Sequence, residues 1–173
     1  MTAIPLDATN IRILNQLQTD ASLTNVELAS RINLSPSPCL SRVKLLEQSG
    51  VIERRVALLN PQAIGLNVNA LIRVHLSHHS ANAVEAFAKE ISYFPEVMDL
   101  FLMSDFDYII RVMVPDMSEL ERFVIEKVSR LEGVDKVKTD IVLKERHHKT
   151  ALPVHHCSPA FSRRPGTAQR AAV

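Results

Sequence analysis

The chain has 173 residues, 46% of them hydrophobic and 23% charged, a balance that excludes a disordered chain and leaves room for one medium domain or two small ones. Its formal net charge of +1 conceals a split: six Lys/Arg against five Asp/Glu over Met1–Asn60, eight against thirteen over Pro61–Leu143, and six against one over Lys144–Val173. A uniformly basic surface is thereby excluded, so any grip on a polyanion has to come from a few placed cations and backbone groups.

Leu6-Asp7 opens a first helical stretch with Asp7 as N-cap, and Leu6, Ile13, Leu14 and Leu17 fall on one stripe before Thr19-Asp20 ends it. A second short helix follows from Thr24, with Glu27 completing a capping box and Val26, Ala29 and Ile32 expected on the inner side. After the turn Asn33-Leu34-Ser35 comes a third helix, with Ser35 as N-cap and Pro36 at the first helical position. Its core positions are Cys39, Val43 and Leu46, and Gly50 suits the left-handed residue that stops it. Ile52–Leu59 is β-prone and is expected to form a hairpin wing. Asn60-Pro61 then leads into a connector, so the predicted boundaries are 1–60 for a winged helix-turn-helix and 61–67 for a linker.

From Val68 the period changes. Val68, Ala70, Ile72, Val74 and Leu76 alternate with polar residues as a strand, and Val84, Phe87, Ala88 and Ile91 repeat as an amphipathic helix. Val97–Met103 and Tyr108–Val114 read as two strands joined by the polar turn Ser104-Asp105-Phe106-Asp107. A second helix carries Leu120, Phe123, Val124, Val128 and Leu131 and closes at Gly133, before a last strand over Val134–Leu143. The order βαββαβ is the ferredoxin-like arrangement, predicted over 68–154, and the fold class is α+β. Leu71, Ile109, Met113 and Val142 fall on the opposite parity from the other apolar positions. A sheet apolar on both faces wants a second partner, so these four residues are predicted to form a homodimer interface, with a tetramer or octamer as further assemblies. Residues 155–173 lack periodicity and read as a flexible basic tail.

The Leu23–Gly50 segment has the spacing of a helix-turn-helix, whose second helix enters the major groove of duplex DNA N-terminus first. Small hydroxyls at Ser35, Ser37 and Ser41 permit close approach to base edges. Arg42 can fork onto guanine or phosphate, Lys44 suits a phosphate, and Arg54 and Arg55 in the wing would grip flanking backbone. Local pattern alone leaves open a three-helix structural or protein-binding module.

Larger stretches narrow the choice. Leu6-Asp7 through Gln18, Asn25–Ala29, the LSPSPCLSRVKLLEQSGVI block from Leu34 to Ile52, Ala57–Pro61, Asp105–Tyr108, Val114–Met117 and Gly133-Val134 together resemble the leucine-responsive/asparagine-type (Lrp/AsnC) family of transcriptional regulators, over roughly residues 5–154. The Ser-Pro-x-Pro helix start is the most specific part of the match. The resemblance implies an N-terminal DNA-binding domain and a C-terminal ferredoxin-like domain that dimerises and senses an amino acid or related metabolite. It also places Met103, Ser104, Asp105 and Asp107 in the effector pocket. A carboxylate there would hold the effector's ammonium while turn amides meet its carboxylate; the bland reading of the same residues is a structural turn. This chain departs from the family at two points, since Ser104 stands where glycine is expected and Met103 where Thr or Ser is usual. Glycine would allow positive φ and close backbone approach.

His147, His148, His155, His156 and Cys157 could pose as zinc ligands, but no rigid element fixes them and no metal or cofactor is expected. No nucleophile–base pair or phosphate-binding glycine loop supports an enzyme. Two lone cysteines, Cys39 and Cys157, and the lack of a bilayer-length apolar run predict a cytoplasmic, nucleoid-associated protein with no membrane contact. The reading is a non-enzymatic regulator binding a pseudo-palindromic operator. A ligand-independent architectural DNA-binding protein is the alternative, and a small-molecule enzyme on a ferredoxin-like scaffold is remote.

Overall fold

A computed structural model describes residues 6–78, 80–104 and 108–154. The chain divides into two compact units, Met1–Ala57 with His147–Val173, and Leu58–Arg146.

The first unit is built on three helices, α1 (Ala8–Thr19), α2 (Asn25–Arg31) and α3 (Pro36–Gln48). Asp7 caps α1 by accepting from the Asn10 amide, and Thr24 and Glu27 form the reciprocal capping box of α2. The turn between α2 and α3 places Asn33 at φ 57°, a left-handed conformation that Asn tolerates better than most residues. Gly50 (φ 75°) ends α3, and the Ile52 amide donates back to the Leu46 carbonyl at 3.1 Å. Ile13, Leu14, Leu17, Leu28, Ala29, Ile32, Cys39, Val43 and Leu46 fill the core. Val26 is not among them: it is 65% exposed, because Leu28 is the residue that turns inward beside Ala29 and Ile32. The stripe of this short helix is therefore centred roughly 50° away from the expected one, at about 100° per residue.

One expectation fails in this unit. Residues 53–60 carry no strand and are exposed, so the hairpin wing is not formed. The sequence IERRVALL has no residue suited to a tight reversal, and eight residues without turn chemistry run on rather than fold back. The two units divide at Ala57/Leu58 within this stretch, and the predicted linker residues 61–67 hold a short 3-10 turn, Gln62–Ile64. The segment from His147 returns to the helical unit, where Val154 is buried in its core and Gln18 bonds to the Leu152 backbone.

The second unit contains β1 (Val68–Leu76), α4 (Ala81–Ile91), β2 (Val97–Leu102), β3 (Tyr108–Val114), α5 (Met117–Arg122) and β4 (Val134–Ile141). Helix α5 continues through a π turn (Phe123–Lys127) and a 3-10 turn (Val128–Arg130). The four strands form one antiparallel sheet in the order β2-β3-β1-β4, the topology expected of a split βαβ. Alternate residues Ala70, Ile72, Val74, Leu76, Tyr108, Ile110, Val112 and Val114 are buried with Phe87, Ile91, Leu120, Phe123 and Val128 of the helical layer. Tyr108 is held at both ends: its hydroxyl donates to the Val84 carbonyl at 2.8 Å and its ring lies 4.9 Å from that of Phe87. The start of β3 is thus fixed to α4.

Candidate nucleic-acid interface and effector site

Cys39, Val43 and Leu46 anchor α3 from behind and turn the opposite face outward. Ser37, Ser41, Lys44 and Gln48 line its centre at helical spacing, and all four are exposed. Leu40 and Leu45 flank them at 42% and 47% exposure. An apolar side chain beside polar ones on such a face can meet a thymine methyl, and sequence reasoning passed over both leucines as ordinary helix formers.

The start of α3 is unusual. With Pro36 and Pro38 at the first and third helical positions, only Ser37 among these three has an amide proton. Ser35 occupies the N-cap position but makes no capping bond, since the third-position amide it would normally accept from belongs to a proline. Its hydroxyl is exposed. The helix start itself is held by α2, where the Asn25 side chain donates to the Pro36 carbonyl at 2.8 Å. Two prolines thus leave few amides for an anion, and the polar chemistry at this end comes from hydroxyls.

Arg42 does not lie on the outward face. Its Nη1 donates to Asp7 Oδ2 at 2.6 Å and to Asn10 Oδ1 at 3.0 Å, tying the middle of α3 to the first turn of α1. The Asn10 amide, and next the Arg42 guanidinium, hold the Asp7 carboxyl below its usual range. Arg55 pairs with Glu47 at the end of α3 at 2.9 Å, with both side chains well exposed, and Arg54 is exposed in the extended stretch. Ser35, Ser37, Ser41 and Lys44 therefore share one accessible face, whereas Arg42 is turned toward α1 and Arg55 toward Glu47.

In the second unit the open face of the sheet carries the four residues singled out by parity. The register pairs Leu71 with Arg111, Arg73 with Ile109 and Asn69 with Met113, and the Val142 amide continues the ladder to Asn69. Leu71 is 38% exposed, and Ile109, Met113 and Val142 are half-buried. Phe101, opposite Ile109, joins this face at 52% exposure. A register shift between Val97 and Asp99 puts it there, and no local sequence signal announces that bulge. Arg111 lies among these apolar groups, 3.6 Å from Asp99 and 3.5 Å from Glu145, with its Nε donating to Asn69 at 3.4 Å.

Met103 and Ser104 follow β2 and are both exposed, beside exposed Phe101 and Leu102. Asp105 and Asp107 lie outside the described residues, as do His155, His156 and Cys157. Among the described residues no three His, Cys, Asp or Glu side chains are grouped to hold a metal, and no helix is long and apolar enough to cross a membrane.

Comparison with known proteins matches both units. Residues 6–53 fit the family model for winged helix-turn-helix DNA-binding regions, and residues 69–152 fit that for the Lrp/AsnC ligand binding domain. The leucine-responsive regulatory proteins of Escherichia coli K12 and Klebsiella pneumoniae are each 38% identical over 150 residues, 86% of this chain and 92% of theirs. A transcriptional regulator of Neisseria meningitidis, solved as its L-Met complex, superposes with a TM-score of 0.83 at 40% identity, covering 87% of this chain and 98% of that one. An AsnC family regulator of Agrobacterium tumefaciens gives 0.82 at 33% identity, covering 86% and 97%. A helix-turn-helix unit, a ligand-binding split βαβ unit and near-complete coverage of these relatives establish the protein as a ligand-responsive transcriptional regulator belonging to the Lrp/AsnC family.

Proposed function

We propose that the chain regulates transcription by reading a pseudo-palindromic operator through α3, and that an amino acid or related small metabolite sets its assembly state. The observation that carries the DNA half is the outward face of α3, where Ser35, Ser37, Ser41 and Lys44 are exposed and the helix is braced from behind by Asn25 and Arg42. Hydroxyls at the helix start, Leu40 and Leu45 meet base edges; Lys44 and Arg54 meet phosphates. Arg42 orients the helix and Arg55 steadies its end.

The open sheet face supports the second half. Leu71, Phe101, Ile109, Met113 and Val142 form an apolar field on one side of a small domain, and a second copy is the partner that removes it from water on both sides at once. The effector then sits by the turn after β2, with Met103, Ser104, Asp105 and Asp107 as its contacts. It acts by binding one assembly better than another, which alters the spacing of paired α3 helices. The relative solved with L-Met and the leucine-responsive relatives make these two amino acids the first to test. We further propose that the protein has no enzymatic activity and works in the cytoplasm.

A salt-titrated gel shift on the chain's own promoter and on random duplex tests the first half: equal affinity for both overturns operator reading. Calorimetry with L-Leu and L-Met, repeated on Asp107→Ala, tests sensing. A ligand that binds both proteins equally well removes Asp107 from the site. The presence of Ser104 in place of glycine favours one second reading, a ligand-independent architectural protein, which would show broad DNA occupancy and no calorimetric response.

A further inference from the structure

We propose that the sheet unit carries a second ligand site, a basic corner of its open face that binds a diphosphate-bearing small molecule. Its cations come from β1 and β4 rather than from the turn after β2, and the inference does not rest on α3 as the DNA reader.

The corner lies where β1 ends and β4 begins, at the opposite end of the open face from Met113 and Val142. The register pairs Arg73 with Lys138 and His75 with Lys136, so basic residues stand opposite each other at two successive positions of one face. Like charges placed directly opposite destabilise a strand pair. Core packing does not call for them: Arg73, Lys136 and Lys138 are exposed, while Val74 and Val137 between them serve the core. Among the described residues neither Arg73 nor Lys136 has an ion-pair partner, and Lys138 has only Asp140, at 3.8 Å with both side chains more than half exposed. An ion pair so open to solvent neutralises little. Asp135, next to Lys136 in sequence, is left out of the cross-strand pairing by the bulge between His75 and Leu76.

This concentration of charge is local. Leu58–Arg146 has ten Lys/Arg against fourteen Asp/Glu, yet three of those ten stand together here. Arg73, His75, Lys136, Val137 and Lys138 line a depression of about 530 Å³, within the range of about 300–1,000 Å³ usual for small-molecule sites. The four basic residues mark a rectangle about 5 Å across the strands and about 7 Å along them. Each cross-strand pair can take one phosphoryl group, Arg73 through parallel N–H donors and the lysines as point charges. Two linked phosphoryl groups span both pairs, which a single phosphate cannot do. An amino acid offers one carboxylate and an ammonium that the corner repels, so this ligand differs in class from the one proposed for the turn after β2.

The test is calorimetry of the full chain in phosphate-free buffer with inorganic diphosphate as the probe, and with inorganic phosphate, citrate and ADP beside it. Diphosphate should bind about tenfold or more tighter than phosphate or citrate, and Arg73→Gln/Lys136→Gln should weaken it by about tenfold or more, since half of the charge-assisted contacts are gone. Lys89→Gln on α4 should leave binding unchanged. ADP binding at least as tightly as inorganic diphosphate makes a nucleotide the source, and weaker ADP binding makes it free diphosphate. Melting gives a second readout. Without ligand, Arg73→Gln should melt no lower than the parent chain, because it relieves repulsion; diphosphate should raise the melting point of the parent but not of the double variant. Equal diphosphate binding by parent and double variant, no diphosphate binding by the parent, or a lower melting point for unliganded Arg73→Gln each overturns the site. Citrate binding as tightly as diphosphate overturns the phosphoryl assignment. Loss of duplex-DNA affinity in the double variant, with no diphosphate binding by the parent, overturns the proposal and assigns the corner to the DNA backbone.

Discussion

Replacing Arg42 by Ala separates a base-reading arginine from one that positions the helix. Its Nη1 reaches both Asp7, at 2.6 Å, and Asn10, at 3.0 Å, and the Arg42 and Asp7 side chains are 36% and 47% exposed. An ion pair so open to solvent contributes about 0.2–1 kcal/mol. The bond to nearly buried Asn10 adds about 0.5–1.5 kcal/mol. Arg42→Ala should therefore cost the helical unit roughly 1–2 kcal/mol, a fall in Tm of about 5–15 °C for a domain of this size. Asp7→Ala loses the same pair and the α1 cap. The double variant should then be less destabilised than the sum of the singles, with a coupling of about 0.5–1 kcal/mol by thermal melts followed by helix circular dichroism. On DNA, a positioning role lowers affinity for promoter and random duplex together. A base-reading role costs about 1–3 kcal/mol of discrimination at a single base pair. Additivity of the two single changes within about 0.3 kcal/mol, together with relaxed preference at one base pair only, would refute the reasoning.

Three further outcomes are expected. Asp7, Asp20 and Glu27 all have carboxyls held below their ordinary values, by the Asn10 amide, the Ser22 hydroxyl and the Thr24 hydroxyl respectively. Their contribution is complete above the unfolded values near pH 4 and disappears as pH falls through the lowered folded values, so the melting point of the helical unit should fall below about pH 4, and Asp7→Asn should flatten that fall. Leu71→Glu with Ile109→Glu places charge in the apolar field of the open sheet face and should convert the proposed dimer to monomer in sedimentation velocity; an unchanged mass would place the assembly contact elsewhere. Leu46 is fully buried at the back of α3, and Leu46→Ala should destabilise the helical unit by about 2–5 kcal/mol and weaken DNA binding, while retention of both wild-type stability and affinity would mean that this core does not brace the reader.

Periodicity and caps were enough to locate α1–α5 and β1–β4, though they also placed a hairpin over 52–59 that is not formed; the elements that do form are amphipathic and bounded by their own signals, such as the Thr24/Glu27 box, the Ser-Pro start of α3 and Gly50. The same parity argument put Leu71, Ile109, Met113 and Val142 on one open face, and the register bears out that placement. These are local properties, written within a few residues of where they act. Three features needed the third dimension. Arg42 sits one position from a core residue, and whether it points to DNA or to Asp7 depends on a partner 35 residues away. Phe101 changes face because a bulge between Val97 and Asp99 shifts the strand by one residue, which reverses every side chain beyond it. The passage of 147–154 back to α1 rests on one buried valine and one glutamine fork, contacts of such high sequence separation that no periodic pattern encodes them. Sequence by itself determined the family, the five helices and four strands of the two units and the face that most of them present. Tertiary packing decided which charged groups remain for DNA, since that depends on which partners the fold brings within bonding distance.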